Sequence, residues 1–256
     1  MAHIAAYATP AGPRYGLLVE GVLHEWDGHP LTDRPGAPGK ALGALDDLPI
    51  LPPVTPSKLV CIGRNYAAHA AEHQAAVPDE PMIFLKPPSA LIGHGAPIKL
   101  PPGIGRVDHE AELAGIIGRR ARRVRREDAL AYVLGYTCAN DVSARDFQKK
   151  DGQWGRAKGF DTFCPLGPVI ATDLDPARLA VRAALNGELR QNGNTADMVF
   201  DVPFLIAFIS AVMTLEPGDV ILTGTPEGVS AIAPGDVVEI TVEGVGTLRN
   251  PVEAEG

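Results

Sequence analysis

The segment Arg106-Val-Asp108-His-Glu110-Ala-Glu112-Leu113 sets a carboxylate at every second position. In an extended chain alternate side chains share a face, so Asp108, Glu110 and Glu112 point the same way. The apolar run Ala114-Gly-Ile-Ile117 follows, so the strand heads into a protein interior. Carboxylates crowded at the edge of a core lose hydration and repel one another. Protonation, distortion or a cation must relieve them. Their oxygens suit Mg2+, Mn2+ or Ca2+ better than zinc. The plainer alternative is an edge strand whose charges discourage aggregation. A further carboxylate ends the apolar strand Tyr136-Thr-Cys-Ala-Asn-Asp141, where capping a helix is the competing job. Three such ligands leave coordination positions for water and a chelating substrate.

Asn65-Tyr-Ala-Ala-His69-Ala-Ala-Glu72-His73 places His69 and Glu72 on one face of a predicted helix. A glutamate that accepts from one imidazole nitrogen raises the basicity of the other, which makes a general base near neutral pH. A surface pair of little energetic weight is the alternative. The same letters spell H-x-x-E-H, in which His69 and His73 would bind zinc and Glu72 act as the base of a peptidase. The carboxylate strand would then lack a purpose. Lys158 sits among glycines and aromatics in Trp154-Gly-Arg-Ala-Lys-Gly-Phe160, as a cation facing a developing enolate or as a surface lysine. Thr223-Gly-Thr225-Pro-Glu-Gly228 offers hydroxyls and N–H groups to an anion but lacks the lysine of a nucleotide-binding loop; a simple turn is its other reading. Cys61, in an apolar strand, reads as a small buried residue rather than a nucleophile.

The elements that must position these groups are short. Residues 58–62, 81–86, 110–118 and 135–140 read as strands, 65–76 as a helix capped by Asn65, and 127–133 as another helix. Residues 199–215 hold the longest apolar helical stretch, starting at Pro203. Pro217-Gly-Asp and Pro234-Gly-Asp each feed a β-branched strand, read as a local hairpin similarity. Strand-like runs at 4–7 and 15–23, a Gly/Pro-rich stretch, and dense prolines at 49–56 set off residues 1–52 as a small β module. Residues 53–256 then form the catalytic domain. With 28 glycines and 24 prolines, the chain reads as mainly β with a few helices (α+β).

Hydrophobic residues at 45% and charged residues at 21% mark an ordinary globular chain. A net charge of −8 argues against a nucleic-acid partner. The arginines crowded over 119–126, without stacking aromatics, read as a solvated connection. Neither a secretory leader nor a membrane span is legible, and Cys61, Cys138 and Cys164 form no CxxC pair, so the cytoplasm is the expected compartment.

Taken in order, Ile62-Gly-Arg-Asn-Tyr-Ala-Ala-His69-Ala-Ala-Glu72, Phe84-Leu-Lys-Pro, Glu110-Ala-Glu112-Leu and Gly135-Tyr-Thr-Cys-Ala-Asn-Asp141 form an ordered set of motifs. Lys158-Gly-Phe-Asp-Thr, Leu185-Asn-Gly with Gln191 and Thr195, and Leu222-Thr-Gly-Thr-Pro-Glu-Gly-Val229 complete it. Over about residues 56–250 the set resembles the fumarylacetoacetate hydrolase family. The resemblance implies a mixed β-sandwich roll, a homodimer, and Mg2+ (or Mn2+ or Ca2+) held by Glu110, Glu112 and Asp141. It also implies a His69–Glu72 catalytic dyad on a segment that orders over substrate, an electrostatic role for Lys158, and a substrate-carboxylate contact at Thr225. Arg64, Tyr66 and Gln148 are further candidate substrate contacts. His109 departs from the tyrosine usual before the first ligand, and its side chain is expected to face away from the metal. Such enzymes hydrolyse acylpyruvates, decarboxylate oxo-tricarboxylates or isomerise 2-hydroxy-dienedioates, all through an enolate of a small 2-oxo acid. Arg145-Asp-Phe-Gln148 with Asp151-Gly-Gln-Trp-Gly-Arg156 resembles the isomerase and decarboxylase branch. The leading expectation is therefore a dienedioate isomerase of aromatic catabolism, with an acylpyruvate hydrolase as the alternative. A metal-stabilised scaffold without catalysis is the non-enzyme alternative.

Overall fold

The computed structural model describes residues 1–72 and 76–256. His73 of the zinc-peptidase pattern and the neighbouring part of the predicted 65–76 helix lie outside the described residues. In chain order the first strands are β1 (His3–Thr9), β2 (Gly12–Val19), β3 (Val22–Trp26), β4 (Ala41–Ala44), β5 (Ile50–Leu51) and β6 (Leu59–Gly63). Helix α1 (Ala67–Glu72) then leads to β7 (Met82–Lys86), β8 (Leu91–Ile92), β9 (Ile98–Leu100), β10 (Val107–His109), β11 (Ala111–Ile117), β12 (Val133–Asn140) and β13 (Ser143–Ala144). Helices α2 (Arg145–Asp151) and α3 (Gly155–Lys158) precede β14 (Cys164–Ala171), β15 (Ala180–Leu185) and β16 (Glu188–Asn194). Last come α4 (Val202–Val212), β17 (Val220–Leu222), β18 (Ser230–Ala231), β19 (Val237–Val242) and β20 (Gly246–Ala254).

The strands form one large mixed sheet, ordered β4-β3-β2-β1-β14-β12-β11-β17-β6-β7, and a smaller sheet ordered β16-β15-β19-β20-β9. A short sheet, β13-β10-β18, lies beside the carboxylate segment. The chain is mainly β with a few helices, as its composition predicts. β1 pairs with both β2 and β14, so the strands of residues 1–52 continue the large sheet.

The sheets are held together by the two-residue period of their strands. Val60, Ile62, Leu113 and Cys138 share one core with Val181, Ala183, Ile240 and Leu248 of the smaller sheet. Leu59, Cys61, Ala114, Ile116 and Ala139 form a second core on the opposite face. β11 and β14 are buried along their whole length, which explains their near-continuous apolar sequence.

Several local expectations are revised. Residues 126–132 form a 3-10 turn and Val133 already belongs to β12, where the 127–133 helix was expected. The two Pro-Gly strands differ in role. β17 lies inside the large sheet, antiparallel to β11 and parallel to β6, whereas β19 belongs to the smaller sheet. Asn65 does not cap a helix: its Nδ2 donates to the Thr223 and Phe200 carbonyls at 2.7 and 3.0 Å, and its Oδ1 accepts from Phe200 N at 2.8 Å. α4 starts where Pro203 predicts, with Asp201 Oδ1 accepting from Phe204 N at 2.9 Å. The arginine run is largely structural. Arg122 donates to the Ser210 and Ala211 carbonyls at the end of α4, Arg120 pairs with Glu216, Arg125 with Asp128, and Arg126 with Asp201. Among the described residues no helix is long and apolar enough to cross a membrane.

A buried acid fixes β17 to the start of β6. Asp219 accepts from Ser57 N at 3.0 Å, Ser57 Oγ at 2.7 Å and Glu216 N at 2.8 Å, and pairs with Lys58 Nζ. Asp219→Ala leaves these donors buried without an acceptor, so the unfolding free energy should fall by about 2–4 kcal/mol. A denaturant midpoint within experimental error of the native one would deny Asp219 this role.

Candidate active site

The β11–β12 register assembles an acidic triad. Ala111 lies opposite Asn140 and Glu112 opposite Ala139, so Glu110 and Asp141 meet just beyond the last pair. There Asp141 N donates to the Glu110 carbonyl at 2.9 Å, and Glu110 N donates to Asn140 Oδ1 at 2.9 Å. By strand parity Glu110, Glu112 and Asp141 face the same side, along with Ala114, Ile116 and Ala139. Each carries a carboxylate oxygen within 4.8 Å of the others, and all three are buried. Asp141 is not a helix cap, because α2 begins only at Arg145.

Buried cations surround the triad unevenly. Lys158 Nζ donates to Glu110 Oε2 at 2.8 Å and Asp141 Oδ2 at 2.6 Å. Lys86 Nζ donates to Asp141 Oδ1 at 2.6 Å. Arg145 donates to Glu110 Oε1 at 2.6 Å and Asp108 Oδ2 at 2.7 Å, which with Arg106 draws Asp108 out of the triad. Burial opposes charge on Glu110, but Lys158 and Arg145 outweigh it and hold the carboxyl far below its usual range. Burial, followed by the neighbouring Asp141 and Glu110, pushes Glu112 well above that range. Among the described residues it accepts a hydrogen bond from Gly224 N, at 2.7 Å. A divalent cation among three buried carboxylates, one of them short of positive partners, is what this donor set fits.

The Thr223–Thr225 turn is pinned to β11 from the other side. Thr223 Oγ1 donates to the Leu113 carbonyl and Thr225 Oγ1 to the Ala111 carbonyl, each at 2.8 Å. Gly224 has φ +99°, and a Cβ there would lie 2.7 Å from the Asn65 Cβ, so only glycine fits. Gln191 ties the region together: its Oε1 accepts from Ala111 N at 2.9 Å and its Nε2 donates to Thr225 Oγ1 at 2.8 Å. His109 contacts Gln191 and Ser230 through its ring nitrogens, directed away from the triad.

Glu110 and Glu112 of the triad open into a cavity of about 260 Å³ that His69, Lys158, Thr225, Gln148 and Arg64 also line. His69 is buried on α1, with Nδ1 3.4 Å from Glu72 Oε2. The Glu72 carboxylate also accepts from Gly228 N at 3.2 and 3.3 Å. Tyr66 is buried at 2% exposure and is not among the cavity-lining residues. Its hydroxyl has no hydrogen-bond partner among the described residues, and burial followed by the nearby Glu112 raises its pKa far above the ordinary phenol value. Lys86 and Arg145 escaped the residue-type argument as counter-charges. A lysine ending an apolar strand before Pro87 and an arginine opening a helix just after Asp141 were the available signals.

Residues 58–253 match the fumarylacetoacetate (FAA) hydrolase C-terminal family. The crystal structure of 2-hydroxyhepta-2,4-diene-1,7-dioate isomerase from Mycobacterium marinum superposes with a TM-score of 0.90 at 45% identity, covering all of both chains. Oxaloacetate tautomerase of Bacillus subtilis (strain 168) is 40% identical over 90% of this chain and 80% of its own length. Fumarylpyruvate hydrolase from Pseudomonas aeruginosa, solved with Mn2+ and pyruvate, gives a TM-score of 0.73 at 32% identity, covering 80% of this chain and 92% of that one.

Burial, Asp141 and Glu110 favour the protonated form of Glu112, and a bound cation would oppose that shift. Calorimetric titration with Mg2+, in buffers of different ionisation enthalpy, should show net proton release on binding. Asp141→Asn should weaken the ion's affinity at least about a hundredfold. A binding enthalpy independent of buffer would contradict the charge assignment.

Proposed function

This chain belongs to the fumarylacetoacetate hydrolase family, and on that premise we propose that it is a divalent-metal-dependent isomerase of small 2-oxo and 2-hydroxy-diene dioic acids. The reaction we favour is that of a 2-hydroxyhepta-2,4-diene-1,7-dioate isomerase. The observation that carries the reading is one cavity joining Glu110 and Glu112 of the acidic triad, the second without an ion pair among the described residues, to a buried histidine backed by a carboxylate.

Glu110, Glu112 and Asp141 would hold Mg2+ or a similar ion. When bound, the ion would supply positive charge to the substrate's 2-oxygen, which becomes more negative as its hydroxyl proton leaves. The chain's own residues supply the rest. Glu72 Oε2, 3.4 Å from His69 Nδ1, favours the proton on that nitrogen and so leaves Nε2 as the base. Nε2 then takes the 2-hydroxyl proton and delivers a proton to the far carbon of the diene, leaving the 2-oxo group with its double bond moved one position closer. The Lys158 ammonium, buried and held charged by Glu110 and Asp141, adds positive potential that needs no reorganisation during the reaction. Thr225 and Gln148 orient the substrate carboxylate. Burial of the triad keeps the local dielectric low, which strengthens each of these interactions.

Two similarities support a proton shift. The Mycobacterium marinum relative is named an isomerase and the Bacillus subtilis relative a tautomerase, and both activities move a proton within a dioate. Keto–enol exchange of oxaloacetate is the same step on a shorter substrate. Likeness to the fumarylpyruvate hydrolase supports the second reading, in which His69 activates water for carbon–carbon cleavage. We place the protein in the cytoplasm as a homodimer serving aromatic catabolism.

Incubating the protein with a 2-hydroxy-dienedioate, oxaloacetate and fumarylpyruvate, with and without Mg2+, separates these activities by product. Cleavage of fumarylpyruvate without isomerisation of the dienedioate would overturn the favoured reading, and inactivity on all three would favour a scaffold. His69→Ala should cut kcat by about 10²–10⁴-fold while Mg2+ affinity, measured by calorimetry, changes less than about threefold.

A further inference from the structure

The cavity bordered by Glu110 and Glu112 is also lined by Arg64 and Lys149. Among the described residues neither forms an ion pair, although the chain carries a net charge of −8. This contrasts with Arg145 and Lys158, which the buried carboxylates already occupy. Arg64 is also held in place. Its backbone is left-handed at φ 57°, a conformation that costs a non-glycine residue about 1–2 kcal/mol. Gly63 precedes it, and a Cβ there would lie 2.5 Å from a Trp154 ring atom, so the indole packs directly on the strand end. The Arg64 guanidinium lies 6.0 Å from the Trp154 ring centroid. Asn65, bonded to Thr223 and Phe200, anchors the turn from the other side. Backbone strain retained at a cavity wall, behind a cation without a carboxylate partner, is the pattern of a ligand contact.

We infer that Arg64, assisted by Lys149, forms a remote-carboxylate subsite, and that this subsite makes the cavity selective for dicarboxylates over 2-oxo monoacids. The inference rests on the proposed reading of the triad as the anchor for the 2-oxo acid end. A planar guanidinium presents paired donors that match a carboxylate, and the indole beneath it restricts the side chain's freedom. Lys149 is exposed and contributes a more screened, smaller attraction.

The test measures binding, in buffer containing Mg2+, of 2-oxoglutarate and of its 5-methyl ester, which keeps the length and the 2-oxo acid but loses the remote charge. The native protein should bind the dioate about tenfold more tightly, a low-end value for a charged hydrogen bond at a half-exposed site. Arg64→Met should bring the ratio near one, and Lys149→Met should lower it about threefold. Arg64→Gly, which removes the charge while relieving the backbone, should lose the preference equally and guards against misfolding as the cause. Equal affinity of the native protein for both probes, failure to bind either, or a ratio preserved in both Arg64 variants overturns the inference. Because the readout is affinity, a protein that discriminates the probes yet converts no substrate would refute the isomerase reading and leave this one standing.

Discussion

Taking a carboxylate out of water costs several kcal/mol unless a partner compensates it, and this fold buries four of them beside one another. Asp108 is compensated by Arg106 and Arg145, Glu110 by Arg145 and Lys158, and Asp141 by Lys86 and Lys158. Glu112 is not compensated to the same degree. That imbalance organises the rest of the site. The cations arrive from β7, α2 and α3, so those elements have to pack against the ends of β11 and β12 for the protein to tolerate its own acids. A helix as short as α3 would not persist alone. Here it is fixed at its last residue by two ion pairs.

The same charges that make the interior costly are those on which the proposed chemistry depends. The proposed base, a buried ammonium and two of the carboxylates proposed to hold a cation border one small cavity. Arg64 and Trp154 sit at its wall. The strained Arg64 backbone marks where the sheet gives way to the cavity.

Much of this was legible in the chain. β6, β7, β11 and β12 follow apolar runs bounded by glycine or proline. Carboxylates at alternate positions next to such a run are informative because a strand turns every second residue to the same side. The His69–Glu72 spacing is likewise local information. Pairings between distant residues were not legible. Nothing near Lys86 indicates that its ammonium meets Asp141, and Asn65 carries a residue type that suits a cap but instead ties two remote loops together. The 126–132 segment has the composition of a helix, yet the β12 strand that starts at Val133 limits it to a 3-10 turn. Arg145 needed the β11–β12 register before its partners were apparent.

The parallel pairing of β17 with β6 joins Leu222 to Cys61, and β11 lies on the other edge of β17. Sheet contacts between such distant stretches close large loops and form slowly. On the ribosome, the acidic strand is therefore made long before the segment that supplies Gly224 and Thr225 has left the exit tunnel. Until that late piece inserts between β6 and β11, the nascent chain holds a row of acids with neither its turn nor its neighbouring strand. Any chain that stops short of residues 220–225 therefore lacks both the strand between β6 and β11 and the Gly224 contact to Glu112.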